Sequence, residues 1–402
     1  MLRSIVWLYN DLKIHKRIPG LLFFLFYLLV FKLFQSKSRD KIWIIGEARG
    51  ECTNDNGYHF FKYCREQHYD RKVYFLINKS SVHFKHISQD RNVLKYGSLE
   101  HFKTYIKSEI CFFTHTYSDF CYREHFLIYH RNKKLIFLHH GVLGFKKFSK
   151  RYNKNKELID LFFVGNKLEK QIITDEIGIK NEKTKITGYA RYDSMNNSSC
   201  TEFLQIAYMP THRDWLKIKP TSFESSIFFV KITEFLNSKN LHIFLSQKRI
   251  TLKVLLHPIM KNYTGVFNSH CPWIKILFFG EETPQQLICE SNLLITDYSS
   301  VSFDFLFLNK PVLFYRFDIF DYLNRRGSYL PLDKPLFGDI YFEHGQLIKS
   351  IIDTYNSNFY LKNEYKYFRD SIMPIIDNNN SKRIYETVVS NFEINEKLNF
   401  QN

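Results

Sequence analysis

Two consecutive serines, Ser299 and Ser300, stand where the sequence pattern places the start of a helix. The apolar run from Leu293 to Thr296 is typical of a buried strand, and Val301 to Leu308 is long enough for a short helix. Free backbone N–H groups and the positive end of a helix dipole make such a turn a natural site for a phosphate group. Serine also caps helices without any ligand, so capping is the alternative interpretation.

Histidines follow two other apolar runs. His139-His140-Gly141 comes directly after LIFL, and His257 follows the run from Leu252 to Leu256. An imidazole at a strand end, next to a glycine that permits close approach, could act as a general base on a hydroxyl. An imidazole at His257 could hydrogen-bond or neutralise a phosphate. The alternatives are an ordinary polar turn for the first histidines and a partly buried, backbone-bonded side chain for His257.

Several cationic side chains are candidates for binding phosphate oxygens, because arginine can hold two oxygens at once. They are Arg213, Lys253, Arg316, Arg325 and Arg326. Each of them taken singly could also be an ordinary solvated charge. The sequence contains no Asp-x-Asp, so a metal–diphosphate clamp of that type is not supported, and positive groups would have to stabilise a leaving group instead. The sequence also lacks a Walker-type loop and G-x-G-x-x-G, which argues against kinase and dehydrogenase functions.

Strand and helix patterns alternate along the chain in a way that would place all these turns at strand ends. Two such βα-rich halves meet near Asn196 to Cys200, a polar stretch typical of a linker. We therefore predict an α/β fold with two Rossmann-like domains, residues 40–197 and 198–402, facing across a cleft. Ligands bind at the carboxyl ends of strands in open sheets, so the polar turns should line that cleft. We also expect the last helix to pack back on the N-terminal domain.

Residues 1–39 differ from the rest of the chain. A basic lead precedes an apolar run from Ile18 to Phe34, and further basic residues follow. This run is marginal for a membrane span, which needs about 20 apolar residues. It predicts an apolar membrane-associating helix with basic flanks attracted to anionic lipid headgroups; a helix packed on the first domain is the alternative.

Composition restricts the partners. The chain has 402 residues, a net charge of +17 and a pI near 9.3, with 45% hydrophobic and 24% charged residues. Such a globular, basic protein favours anionic partners, and the absence of a recognisable nucleic-acid module ranks lipid and phosphate above nucleic acid. The 7 cysteines are scattered without a C-x-x-C pair, which is typical of reduced core residues.

A resemblance to a known family emerges from the ordered motifs. The stretch TDYSSVSFDFLFLNKPVLFYRFD resembles the signature of the CDP-glycerol glycerophosphotransferases, which make teichoic acids and capsules. The similarity covers roughly Ile44 to Ile384. The other segments resemble the family's motifs in the same order, with His212 replacing a tryptophan and Leu336 to Gly338 replacing PGP. They are GEARGECTNDNGYHFFKYCRE, LHHGVLGFKK, TGYARYD, IAYMPTHRDW, LLHP and RRGSYLPLDKPLFG.

The resemblance implies a GT-B-like fold and metal-independent transfer of a polyol phosphate from a CDP-activated donor, without a cofactor. His140, chosen over His139 because a glycine follows it, would be the base that deprotonates the acceptor, and His257 would stabilise the diphosphate. Ser299 and Ser300 would hold donor phosphates. The remaining donor-phosphate candidates are Thr296 and Asp297, which would shape the loop, and the cations Arg213 and Arg326.

The implied reaction joins glycerol phosphate from CDP-glycerol to a hydroxyl of a lipid-linked glycan or growing polymer and releases CMP. The implied location is the cytoplasmic face of the bacterial inner membrane, peripheral or with one short N-terminal anchor. Three alternatives stay open: a CDP-ribitol or other CDP-polyol donor, a GT-B glycosyltransferase that uses a nucleotide sugar, and a non-catalytic assembly factor.

Overall fold

The computed structural model describes residues 41–121, 133–147, 156–195, 204–218, 223–257, 260, 263, 265–278 and 280–392. The chain divides into two compact units, Met1–Phe137 and Leu138–Asn402, which are described separately. The predicted membrane-associating segment, residues 1–39, and the predicted linker, residues 196–200, lie outside the described residues. In the part that is described, every helix is too short or too polar to cross a bilayer.

The first unit is built on parallel strands in the order β3-β2-β1-β4-β5. These strands are β1 (Ile42–Gly46), β2 (Lys72–Ile77), β3 (Val93–Lys95), β4 (Ile110–Phe113) and β5 (Lys134–Phe137). Its α-helices are α1 (Asn56–Gln67), α2 (Phe84–Ile87) and α3 (Leu99–Lys107). Strands β1 and β4 are buried along their whole length, as continuous apolar runs in a parallel sheet require. Trp43 packs on Phe60 of α1 and Phe112 of β4 in this core.

The second unit contains the parallel pair β6 (Leu161–Val164) and β7 (Thr184–Ile186) and a six-stranded parallel sheet. The strands of this sheet are β8 (Gln205–Tyr208), β9 (Thr251–Leu255), β10 (Ile274–Leu277), β11 (Leu293–Thr296), β12 (Val312–Tyr315) and β13 (Asp339–Tyr341). Their spatial order is β10-β9-β8-β11-β12-β13. The order reverses between β8 and β11, and the loops after two such strands are where open sheets bind ligands.

The second unit also contains α-helices. They are α4 (Lys167–Gln171), α5 (Ile227–Leu236), α6 (Lys239–Lys248), α7 (Pro284–Glu290), α8 (Val301–Phe307), α9 (Ile319–Arg325), α10 (His344–Asn356), α11 (Asn363–Ile372) and α12 (Asn380–Phe392). Single turns of 3₁₀ or π helix occur in both units, at Ala48–Gly50, Tyr117–Asp119, Lys156–Leu158, Ile172–Glu176, Asn181–Lys183, Ala190–Ser194 and Asp214–Ile218.

Local sequence signals explain several of these elements. Thr283 caps α7 by accepting a hydrogen bond from the N–H of Gln286 at 3.1 Å, and Pro284, whose missing N–H costs nothing there, is the first helical residue. Ser226 caps α5 in the same way. The predicted strand–turn–helix–strand unit is confirmed as β11, α8 and β12. The α/β class with two parallel sheets is confirmed as well, whereas the division at residues 197 and 198 stays a prediction.

Candidate functional site

The turn that follows β11 is fastened to the loop that follows β8. The buried Asp297 carboxylate accepts hydrogen bonds from the N–H of Thr211 at 2.9 Å and of Tyr298 at 2.6 Å. The Thr296 hydroxyl, also buried, donates to the carbonyl of Met209 at 2.7 Å. Both side chains point into the protein, so they shape the turn; a direct phosphate contact by either one stays a prediction.

Ser299 and Ser300 are half-buried at the start of α8. The Ser300 hydroxyl makes no capping hydrogen bond to the helix among the residues that the structure describes. The Ser299 hydroxyl lies 3.4 Å from the N–H of Val301, a long contact. Capping therefore does not account for Ser300, and the phosphate contact predicted for its hydroxyl stays a prediction.

The His140-Gly141 loop lies against this same turn. A Cβ atom added to Gly141 would come within 2.8 Å of the Ser300 hydroxyl oxygen. His140 itself is exposed, and its carbonyl accepts a hydrogen bond from Arg191 at 3.1 Å. The structure thus brings the predicted base and one predicted phosphate-binding serine into one place.

Arg191 is a functional residue that the sequence analysis missed. Its buried guanidinium donates to the Asp304 carboxylate at 2.8 Å while also holding the carbonyl of His140. Tyr192 donates to the same carboxylate at 2.9 Å. Arg191 and Asp304 fall within the quoted segments TGYARYD and TDYSSVSFDF, but their sequence separation gave no sign that they pair.

A second missed residue is Glu169, a fully buried carboxylate beneath the histidine loop. It accepts hydrogen bonds from the N–H groups of Leu143 at 2.8 Å and Gly165 at 2.7 Å. Its Oε1 also lies 2.9 Å from His139 Nδ1, and it accepts the Tyr189 hydroxyl at 2.7 Å. Burial, with Glu169 close by, raises the pKa of Tyr189 well above its usual range. His139 is therefore a buried anchor with φ 59°, which leaves the exposed His140 as the base candidate.

Arg213, a predicted phosphate-binding cation, lies in the interior. Its guanidinium donates to Asp318 at 2.7 and 2.8 Å and lies 2.9 Å from Asp297. Burial alone would lower the pKa of Arg213, but the two carboxylates outweigh burial and raise it. A phosphate could reach this guanidinium only if a carboxylate left, so the structure places Arg213 behind the turn and not at its surface.

His257 and Arg326 meet in one cluster through two further residues. The rings of His257 and His212 lie 4.1 Å apart between centroids. Asp214 connects His212, whose Nε2 is 2.7 Å away, to Arg326, whose Nη1 is 2.9 Å away. The sequence analysis identified the turn that contains His212, but it did not predict that His212 contacts His257.

The other cations have different surroundings. Lys253 pairs with Glu282 at 2.6 Å, and Arg325 pairs with Asp321 on its own helix at 2.6 Å. Arg316 is buried and donates to the carbonyls of Asp297 and Leu332, and burial lowers its pKa to about 10. We assign none of these three to a phosphate. The described residues contain no group of His, Cys, Asp or Glu that could hold a metal ion; metal-independence stays an expectation.

Within the first unit, the turn that follows β1 contains a buried carboxylate, Glu47. Glu47 accepts hydrogen bonds from the N–H groups of Asn54 at 3.1 Å, Asp55 at 3.0 Å and Tyr58 at 2.8 Å. Burial, and then the Asp55 carboxylate, raises the pKa of Glu47 to about 8. These contacts hold the chain that leads into α1.

Comparison with known proteins identifies relatives along most of the chain. The sequence profile of CDP-Glycerol:Poly(glycerophosphate) glycerophosphotransferase matches residues 26–390. The Minor teichoic acid biosynthesis protein GgaB of Bacillus subtilis (strain 168) is 27% identical over 90% of this chain and 41% of its own length. The Teichoic acid poly(ribitol-phosphate) polymerase of Bacillus spizizenii (strain ATCC 23059 / NRRL B-14472 / W23) is 26% identical over 90% of this chain and 58% of its own length. The chain thus spans less than two thirds of either relative.

Solved structures agree with the fold. The structure of the wall teichoic acid polymerase TagF superimposes with a TM-score of 0.71 at 18% identity, covering 99% of this chain and 98% of the other. At that identity the match shows the fold alone.

Proposed function

This chain belongs to the CDP-glycerol:poly(glycerophosphate) glycerophosphotransferase family, and from that premise we propose that it transfers glycerol phosphate from CDP-glycerol. The acceptor is a hydroxyl of a membrane-linked glycan or of a growing polyol-phosphate polymer in teichoic acid or capsule synthesis, and CMP is the product that leaves. The observation that carries the proposal is the contact between the His140 loop and the Ser300 turn. It brings a base to the start of a helix that can bind phosphate.

The reaction is a displacement at phosphorus. His140 takes the proton of the acceptor hydroxyl while the oxygen forms a bond to the β-phosphorus of the donor. The bond between this phosphorus and the bridging oxygen breaks, and CMP departs with the electron pair. Positioning and charge neutralisation supply most of the rate in such transfers, so covalent chemistry by the protein is not required.

The donor phosphates meet two groups of side chains. The half-buried Ser299 and Ser300 offer hydroxyl and backbone donors at the start of α8. The exposed His257 and the partly exposed Arg326, joined through His212 and Asp214, supply donors where charge develops on CMP. Thr296, Asp297 and Arg213 act one layer deeper, by holding the turn in shape.

A CDP-ribitol donor is the second candidate, and one relative is named a poly(ribitol-phosphate) polymerase. The site that we describe recognises phosphates and a hydroxyl, which both polyols offer. A GT-B glycosyltransferase that uses a nucleotide sugar is a further alternative from the sequence.

The proposal also includes four further expectations from the sequence. They are a GT-B-like pair of domains with a cleft, an anionic membrane as partner, a lipid-linked acceptor, and a place at the cytoplasmic face of the bacterial inner membrane. The net charge of +17 supports an anionic surface as partner.

Donor screening tests the function. The full chain is incubated with a synthetic lipid-linked acceptor and CDP-glycerol, CDP-ribitol or a UDP-sugar in separate reactions. We expect CMP release with CDP-glycerol and an acceptor heavier by one or more glycerol phosphates in the mass spectrum. Turnover of the UDP-sugar alone would reject the proposal, and turnover of CDP-ribitol alone would select the second candidate.

A further inference from the structure

The His212 ring packs at an angle against the ring of the candidate catalytic residue His257. The two ring centroids are 4.1 Å apart, and the ring planes are inclined by 37°. His257 is exposed, whereas only 9% of the His212 side chain is exposed. The less accessible ring therefore forms the surface on which the more accessible ring rests.

The His212 ring has little freedom to move, because the chain is tied down on both sides of it. The preceding residue, Thr211, donates its N–H to Asp297 at 2.9 Å, and the following residue, Arg213, binds Asp318. The ring itself is held by Asp214, whose Oδ1 lies 2.7 Å from His212 Nε2. These three contacts hold the His212 ring in place, and with it the surface against which the His257 ring packs.

The contact between His212 and Asp214 also affects the charge on the two histidine rings. Burial alone would raise the pKa of Asp214, but His212, Arg326 and Lys146 outweigh burial and lower it. The ionised carboxylate favours a proton on His212, to which it is hydrogen-bonded. When His212 carries this proton, a positive charge on His257, whose ring centroid is 4.1 Å away, is unfavourable because like charges repel.

We propose that His212 is a positioning residue for His257: its ring, held by Asp214, orients the His257 imidazole and keeps it uncharged until the donor diphosphate arrives. The diphosphate would then offset the repulsion, so that His257 can take on positive charge as CMP leaves. The family pattern that the sequence resembles has a tryptophan at this position. Its ring could provide a flat surface for His257, but it carries no charge. The catalytic meaning of this inference rests on the proposed function.

The first test follows protonation and needs no substrate. Histidine ring signals of the full chain are titrated by NMR in the wild type and in His212→Phe, and the His257 signal is assigned from its loss in His257→Gln. Phenylalanine keeps a flat ring but removes the charge, so we expect His257 in His212→Phe to titrate at higher pH. An unchanged or lower midpoint would overturn the inference.

A matched control and a backup variant sharpen this test. His344 is also a histidine beside a carboxylate in the second unit, 3.7 Å from Glu234, and His344→Phe should leave the His257 midpoint unchanged. A shift in this control equal to that in His212→Phe would also reject the inference. If His212→Phe fails to fold, His212→Gln, which keeps a donor for Asp214, should give the same upward shift.

Turnover then separates the inference from the function. With CDP-glycerol as donor, we expect His212→Phe to move the pH profile of kcat to higher pH, an effect that a merely structural role would not produce. If the wild type releases no CMP from any CDP-polyol, the proposed function fails, while the NMR midpoints still decide whether His212 controls His257.

Discussion

An exposed imidazole with an immobilised backbone is the central feature at the scale of single residues. Arg191 holds the carbonyl of His140 at 3.1 Å, while the neighbouring His139 is anchored to the buried Glu169 at 2.9 Å. The ring of His140 thus stays accessible although its chain is fixed. This combination suits a general base, which must meet a substrate in one defined position.

Replacing His140 by alanine tests this assignment. We expect His140→Ala to fold normally and to lose at least about a hundredfold in CMP release, the usual contribution of a general base. Circular dichroism and CMP release from CDP-glycerol are the two measurements. The exposed His270, changed to alanine in parallel, should keep wild-type turnover; full activity in His140→Ala would remove this residue as the base.

The buried pair of Arg191 and Asp304 makes a prediction about stability. Arg191→Ala leaves the buried Asp304 carboxylate without its cationic partner, which should lower the free energy of unfolding by about 3 kcal/mol. Arg325→Ala removes an exposed pair with Asp321 and should cost less than about 1 kcal/mol. Equal denaturation midpoints for the two variants would show that the buried pair stabilises the fold no more than the exposed pair does.

At the scale of secondary-structure elements, the main feature is the close contact between the Gly141 loop and the start of α8. The loop carrying Gly141 and the start of α8 approach so tightly that an added Cβ would come 2.8 Å from the Ser300 hydroxyl oxygen and 3.8 Å from Arg191 Nη2. The hydroxyl can rotate, so the loop should shift slightly rather than unfold. Small misplacements of this kind are costly in reactions that depend on alignment.

Gly141→Ala should therefore reduce CMP release by about tenfold, since the loop that carries His140 is displaced. Gly265→Ala is the matched control, because nothing lies within 4 Å of the atom it adds. Steady-state kinetics on both variants checks the prediction. If Gly141→Ala is as active as Gly265→Ala, the contact between the loop and the turn does not matter for transfer.

The turn between β1 and α1 should make stability depend on pH. Burial and the neighbouring Asp55 raise the pKa of Glu47 from 4.5 to about 8, so the folded chain binds this proton more tightly than the unfolded chain. The contribution of Glu47 to stability is therefore fully present below the unfolded pKa and is lost as pH rises towards 8.

Chemical denaturation at pH 5 and pH 8 measures this effect. We expect Glu47→Gln to lose a pH-dependent part of the stability that the wild type shows, whereas Glu66→Gln, at an exposed position, should behave as the wild type does. The same difference in stability between the two pH values in all three proteins would contradict the assignment.

At the scale of the whole molecule, the sequence predicted what depends on local pattern. Strands such as β11 and β12 are continuous apolar runs, and α7 carries its own start signal at Thr283 and Pro284. The family followed from the ordered motifs, and the α/β class followed from the alternation of strand and helix patterns. The profile match over residues 26–390 confirms the family, and the strand pairings confirm the class.

Long-range partners could not be predicted in this way. Arg191 and Asp304 are 113 positions apart, and Glu169 gives no local sign that four polar groups converge on it. Arg213 looked like a surface cation because its carboxylate partners, Asp297 and Asp318, are distant in sequence. Burial of a charged group depends on the tertiary fold, so no pattern in a single sequence shows it.

The helix at the end of the chain illustrates a contact that was expected. Asp193 accepts the N–H groups of Asn380 and Ser381, both at 2.7 Å, and so binds the first turn of α12. Arg383 of this helix donates to the carbonyl of Thr187 at 3.0 Å. The helix thus packs on residues that the sequence analysis assigned to its N-terminal domain, although the domain boundary itself stays a prediction.

A crystal structure of the full chain with CDP-glycerol bound would show where the donor diphosphate lies. We expect a diphosphate that contacts Ser299 and Ser300, has His257 within hydrogen-bonding distance, and turns its β-phosphorus towards His140. A diphosphate bound away from the Ser300 turn, or a β-phosphorus that His140 cannot reach, would refute the proposed site.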